Sequence, residues 1–209
     1  PSFSISCSTS PIKRTRSSAE RTMKTALATD SNILQIFLTY QEINGQFKNE
    51  QEKRYAMLQN GEPDMTEDNN IITGNKAIGL KTVLHITLGL YINGPLWVSG
   101  QRNWKIIRII EELARAQEMN IRWAVIHIGT LAGNKKRSDV IANINETLHV
   151  IQKNQWNIGI LLENSASNNC FGATIPDLID IVNSINQELR FKDKARLQKR
   201  IGICFDTQH

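Results

Sequence analysis

Five side chains of the kinds that bind divalent metals stand at the ends of apolar runs. In KTVLHIT the run ends in His85, in WAVIHIGT it ends in His127, and in IGILLENSA it ends in Glu163. The closing segment IGICFDTQH carries Asp206 and, three residues later, His209. Zinc sites take imidazole nitrogen and carboxylate oxygen, and a carboxylate can bridge two ions in a multinuclear hydrolytic centre. The chain has 4 histidines, and His149, the one not at a run's end, falls inside a helical segment as a packing or surface residue. Glu163 is the most demanding of the five. A carboxylate directly after IGILL costs several kcal/mol to bury alone, so it calls for a metal or a cationic partner. An ion pair with a neighbouring Lys or Arg is the alternative.

Such residues need strands to carry them, and the apolar runs supply them. They lie at Phe3–Cys7, Ile33–Leu38, Thr82–Thr87, Trp123–Ile128, Ile158–Leu162 and Ile201–Phe205. Helical spacing fills the intervals. Ser17–Thr29 is polar with a small apolar side, and Gln46–Leu58 reads as a charged surface helix. Trp104–Met119 would bury Ile106, Ile107, Ile110, Leu113 and Ala114. Ser138–Gln152 would bury Val140, Ile141, Ile144, Leu148 and Ile151. Ile175–Leu189, with Pro176 in its first turn, would bury Leu178, Ile179, Val182 and Ile185. Near-continuous apolar strands alternating with helices predict an α/β fold with a parallel sheet. No Gly-rich phosphate loop follows the first strand, whereas functional residues end several different strands. Both features favour a TIM (β/α)8-type barrel over a doubly wound sheet, with about six of its β/α units in this chain. Residues 60–70, NGEPDMTEDNN, are acidic and rich in turn formers, and read as an exposed insertion in a single, incomplete barrel domain spanning residues 1–209.

Composition narrows the class further. Of 209 residues, 40% are hydrophobic and 22% charged, the balance of a globular protein. No apolar run reaches the length of a membrane span, and the N-terminal stretch lacks the apolar core of a secretory signal. The 3 cysteines show no CxxC spacing and are odd in number, which points to a reducing compartment, cytoplasm or nucleus. Cys204 is expected as a small buried residue of the last strand. A net charge of +5 is mildly basic and suits a phosphate-rich partner.

Three segments, VIHIGTLAG, LLENSASNNCFG and RIGICFDTQH, together resemble the successive motifs of the endonuclease IV family of apurinic/apyrimidinic endonucleases. SAERTMKTALATDSNILQIFLTY and TVLHITLGLYING resemble the family's earlier segments more loosely. The resemblance runs through nearly the whole chain and is specific from about Trp123 onward. It implies a zinc-dependent barrel that cuts double-stranded DNA 5′ to an abasic site, leaving a 3′-OH and a 5′-deoxyribose phosphate. On that pattern His85, His127 and Glu163 hold a first zinc. Glu163 also bridges to a second, which Asp206 helps bind, and His209 belongs to a third. The loop LGLYINGPLW would approach DNA, with Tyr91 or Leu90 as the wedge beside an extruded nucleotide.

Departures from the family pattern shape the remaining expectations. The first strand, FSISCSTS, lacks the family's Gly-x-His, and Tyr91 comes six residues after His85 instead of three. The chain closes at His209, before the strands that would supply further ligands. This implies a truncated piece with one fully liganded zinc site out of up to three, prone to aggregate and inactive by itself, from a protein that acts as a monomer. A metal-dependent sugar isomerase or epimerase of the xylose-isomerase-like class is the competing enzyme reading. A barrel that only binds nucleic acid, through Lys135, Lys136, Arg137 and the Lys192–Arg200 cluster, is the non-enzymatic one. Those basic clusters otherwise read as solvated faces.

Overall fold

Short apolar runs become parallel strands here. The computed structural model describes residues 6–8, 32–41, 43–77, 79–87, 90–133, 135–189 and 200–206. The expected helix Ser17–Thr29, most of the Lys192–Arg200 cluster and His209 lie outside the described residues. The chain divides into two compact units, Pro1–Thr87 and Leu88–His209.

In the first unit, β1 (Ser6–Ser8), β2 (Ile33–Ile36) and β3 (Lys81–His85) lie side by side and parallel, with Ser6 beside Ile33 and Ile36 beside Leu84. Leu34, Ile36, Leu38 and Leu84 are buried. Between β2 and β3 the chain forms α1 (Glu50–Asn60) and α2 (Met65–Ala77). The Asn49 side chain caps α1 by accepting the Glu52 N–H.

The expected exposed insertion at 60–70 is corrected by α2. Only residues 61–64 form a connection, and the helix then carries Ile71 and Ile72 into the core. Asp68, 0% exposed, accepts hydrogen bonds from Thr39 N (2.8 Å) and Thr39 Oγ1 (2.7 Å). An acidic stretch with turn residues reads as loop. What buries this carboxylate is a pair of donors 29 residues upstream, a distance at which local composition carries no signal.

The second unit opens with a small antiparallel hairpin, β4 (Trp97–Val98) and β5 (Gln101–Arg102). Its two-residue turn, Ser99 (φ 49°) and Gly100 (φ 79°), is left-handed at both positions, as tight hairpins prefer. Then follow α3 (Trp104–Glu118), β6 (Trp123–His127), α4 (Arg137–Lys153), β7 (Gly159–Glu163), α5 (Ile175–Glu188) and β8 (Ile201–Cys204). β6, β7 and β8 are parallel neighbours in that order. In α4, Val140, Ile141, Ile144, Leu148 and Ile151 are all buried, as their spacing predicts.

The buried faces of α3 and α5 differ from expectation. In α3 they are Ile106, Ile109, Leu113 and Ala116, with Glu112 and Arg115 also inside, while Ile107 is exposed. Two charged residues on the inner face displace the stripe that apolar residues alone would trace. In α5, Ile181 is buried in place of the exposed Ile179. Among the described residues, no helix is long and apolar enough to cross a membrane.

Candidate metal centre

Register puts two of the sequence-predicted ligands side by side. His127 and Glu163 are the last residues of β6 and β7 and are direct partners across that pair of strands. Neighbours in register project to the same side of a sheet, and here they meet. His127 Nε2 lies 3.2 Å from Glu163 Oε2. Glu163 is 4% exposed, and the His127 imidazole beside it is charged, and so an ion-pair partner, only when protonated.

The loops leaving these strands are tied together. Thr130 and Cys170 form an antiparallel bridge, and Phe171 N donates to Gly129 O at 3.0 Å. Gly129 has φ +113°, and a Cβ there would fall 2.6 Å from the Asn93 side chain, so the HIGT turn requires glycine. Asn93 Nδ2 donates to Thr130 O at 2.6 Å, fixing the turn just past His127.

Glu163 is followed by a residue whose role the sequence reading passed over. Asn164 is buried. Its Nδ2 donates to Asp206 O (3.0 Å) and its Oδ1 accepts the Asp206 N–H (2.6 Å). The side-chain amide thereby behaves as a peptide group and extends the β7–β8 ladder past the end of both strands. The signal was the amide directly after the strand-end glutamate, a residue type that can donate and accept at once.

Asp206 follows β8 by two residues and is half-buried. Between it and Glu163 lies Cys204, the register partner of Glu163. Burial, then the Glu163 and Asp206 carboxylates, push its thiol up to about 11. Cys204 is half-buried, less enclosed than expected. The exits of β7 and β8 therefore form a region of negative potential, which favours a cation.

His85 ends β3 in the first unit and is buried. Its Nδ1 sits 2.7 Å from Ile86 O. A carbonyl can only accept, so Nδ1 carries a proton, and it is the tautomer protonated there that has its lone pair at Nε2. A backbone carbonyl behind one ring nitrogen is how metal-binding histidines are oriented. The Phe37 ring, with its centroid 4.7 Å away, packs against the imidazole.

Of the remaining candidates, Tyr91 is half-buried with the Lys105 ammonium 5.7 Å from its ring centroid. Leu90 is 2% exposed, so it is a core residue and no wedge. His209 lies outside the described residues. Imidazole nitrogen and buried carboxylate oxygen are the donor set that zinc and similar borderline ions prefer, and the residues present fit such an ion.

Comparison with known proteins shows partial similarity to endonucleases. An apurinic-apyrimidinic endonuclease 1 of Plasmodium berghei is 28% identical over 110 residues, 52% of this chain and 20% of that protein. A probable endonuclease 4 of Methanocorpusculum labreanum is 33% identical over 109 residues, 50% of this chain and 34% of that protein. The chain thus matches no more than about a third of the length of these two relatives. No model of a known protein family matches it. The structure of an L-ribulose 3-epimerase superposes with a TM-score of 0.62 at 11% identity, covering 97% of this chain and 60% of the other. At that identity the likeness concerns the fold, which is α/β of the TIM (β/α)8 type.

Proposed function

We propose that this chain belongs to a DNA-repair enzyme that hydrolyses the phosphodiester 5′ to an abasic site in double-stranded DNA, leaving a 3′-OH and a 5′-deoxyribose phosphate. The observation that carries this reading is the buried Glu163 carboxylate beside His127 at the exits of two parallel strands, joined to the sequence similarity to an apurinic-apyrimidinic endonuclease 1 and to a probable endonuclease 4. His85, His127 and Glu163 would hold one divalent ion, zinc by the chemistry of the donors. Asp206 and His209 would contribute to a second and a third. Zinc, when bound, supplies Lewis-acid stabilisation of the charge that develops on phosphate oxygens.

The protein's own groups do the rest. His85, oriented by Ile86 O, and His127 would offer ring nitrogen, and Glu163 would offer carboxylate oxygen. Asn164 fixes the backbone of Asp206 so that its carboxylate is carried at a defined place. Tyr91 would meet the DNA beside the damaged nucleotide. The protein would work as a monomer inside the cell.

The test is incision of a duplex oligonucleotide with a single tetrahydrofuran abasic analogue, by the protein that carries this sequence, with and without chelator. The expected result is incision 5′ of the analogue, abolished by chelator and lowered at least a hundredfold in Glu163→Gln. A sugar isomerase or epimerase is the second reading, favoured by the fold likeness to the L-ribulose epimerase. Metal binding with no incision would decide for it.

A further inference from the structure

The hairpin that opens the second unit is built to stand out from the fold. Asn103 N–H donates to Leu96 O (2.9 Å), and Asn103 Nδ2 donates to Pro95 O (3.0 Å), which closes the base of the loop. Beyond that closure Trp97 is 58% exposed. The Arg102 guanidinium lies 5.8 Å from the Trp97 ring centroid, and Glu146 holds it there by an ion pair. A braced indole with most of its surface in water is a stacking platform, the means by which proteins hold nucleobases without reading sequence.

Just after the hairpin, at the start of α3, stands Lys105, which has no carboxylate partner among the described residues. The Lys105 ammonium lies 5.7 Å from the ring centroids of both Tyr91 and Trp104. Burial and the neighbouring Lys135 both lower its pKa. Lys135 Nζ reaches the same loop, 3.9 Å from where a Cβ on Gly94 would stand. Among the described residues, no carboxylate pairs with either lysine. α3 also begins here with no acid in its first turn, so the helix N-terminus adds positive potential. Two lysines in solvent would be unremarkable. Two that repel one another, one of them half-buried, call for an anion.

Resting on the reading of this chain as a nucleic-acid enzyme, we propose that the hairpin and these lysines form a second contact for a nucleic-acid strand. In this contact a base stacks on Trp97 and a backbone phosphate is taken by Lys105 and Lys135. Charge complementarity selects the occupant, since an apolar protein partner would leave the lysine pair uncompensated.

The test is binding of a labelled ten-nucleotide oligo-dT, followed by anisotropy in EDTA. A strand of ten tetrahydrofuran units, which has phosphates but no bases, runs in parallel. Trp97→Ala is expected to weaken oligo-dT about tenfold, Trp97→Phe to restore most of that, and neither to change affinity for the base-free strand. Lys105→Met and Lys135→Met should weaken both strands, and each should reduce the salt slope of binding by about 0.7. Unchanged oligo-dT affinity in Trp97→Ala and in the double lysine variant would overturn the proposal. So would self-association that Trp97→Ala abolishes, with no strand bound. If these variants bind as expected but abasic duplex is never cut, the incision reading fails alone. If incision stands and the variants bind like the parent, the hairpin contact fails alone.

Discussion

Glu163 and His127 satisfy one another across 3.2 Å, and removing the charge from one changes what the pair can hold. Glu163→Gln keeps the size and hydrogen-bonding capacity but deletes the anion that a divalent ion needs. Zinc affinity, read by competition with a chromophoric chelator, should fall by more than tenfold, as should that of His127→Ala. Equal affinity in parent and variants would remove these residues from any metal site. Lys105 offers a residue-scale contrast. Its pKa is lowered from the ordinary 10.5 by burial and by Lys135, so at neutral pH the folded state carries an ammonium it holds less well than the unfolded chain does. That cost is full below the lowered folded value and fades as pH rises through it towards 10.5. Lys105→Met should therefore raise the melting temperature at pH 7, by a small amount because two cation–π contacts are lost, and the gain should shrink as pH increases. His85, His127 and Glu163 were legible as candidates in the sequence because each ends a recognisable strand. Asn164 was not, since its function is to pair with a backbone 42 residues away.

Elements hold these residues by bonds that run between loops and helices. Asn143, buried on α4, donates through Nδ2 to Ile92 O and Gly94 O, each at 2.6 Å. It is the link between a core helix and the loop that leads to the hairpin. Asn143→Ala would leave two carbonyls buried without that donor, a cost of about 1–3 kcal/mol. Thermal unfolding should shift down by several degrees, and Trp97 emission should change with the loop. A variant that melts like the parent would mean that the loop is held by its own closure at Asn103. Parallel strands and α4 were readable from periodicity, because most of their buried positions are apolar and fall at the expected spacing. The faces of α3 and α5 were not, nor was α2, because Glu112, Arg115 and Asp68 lie inside, and Asp68 is held there by Thr39, far away in sequence. The hairpin β4–β5 hides within a loop-like sequence, marked only by Ser99–Gly100.

At the scale of the molecule the fold is shared with sugar epimerases, so it decides nothing about the reaction. The donors decide more. His85, His127 and Glu163 come from three strands separated by whole helices, and an unfolded chain cannot gather them. An ion that needs all three must therefore bind the folded state in preference and stabilise it by mass action. Free zinc at about a hundred times its dissociation constant contributes roughly 2.7 kcal/mol, which for a chain of this size corresponds to an increase of about 5–10 °C in melting temperature. Chelator should reverse the shift, and Glu163→Gln, His127→Ala and His85→Ala should each abolish it. The His85 variant is the decisive one. If zinc still stabilises His85→Ala as it does the parent, the ion is held without His85, with Asp206 in place of the missing imidazole.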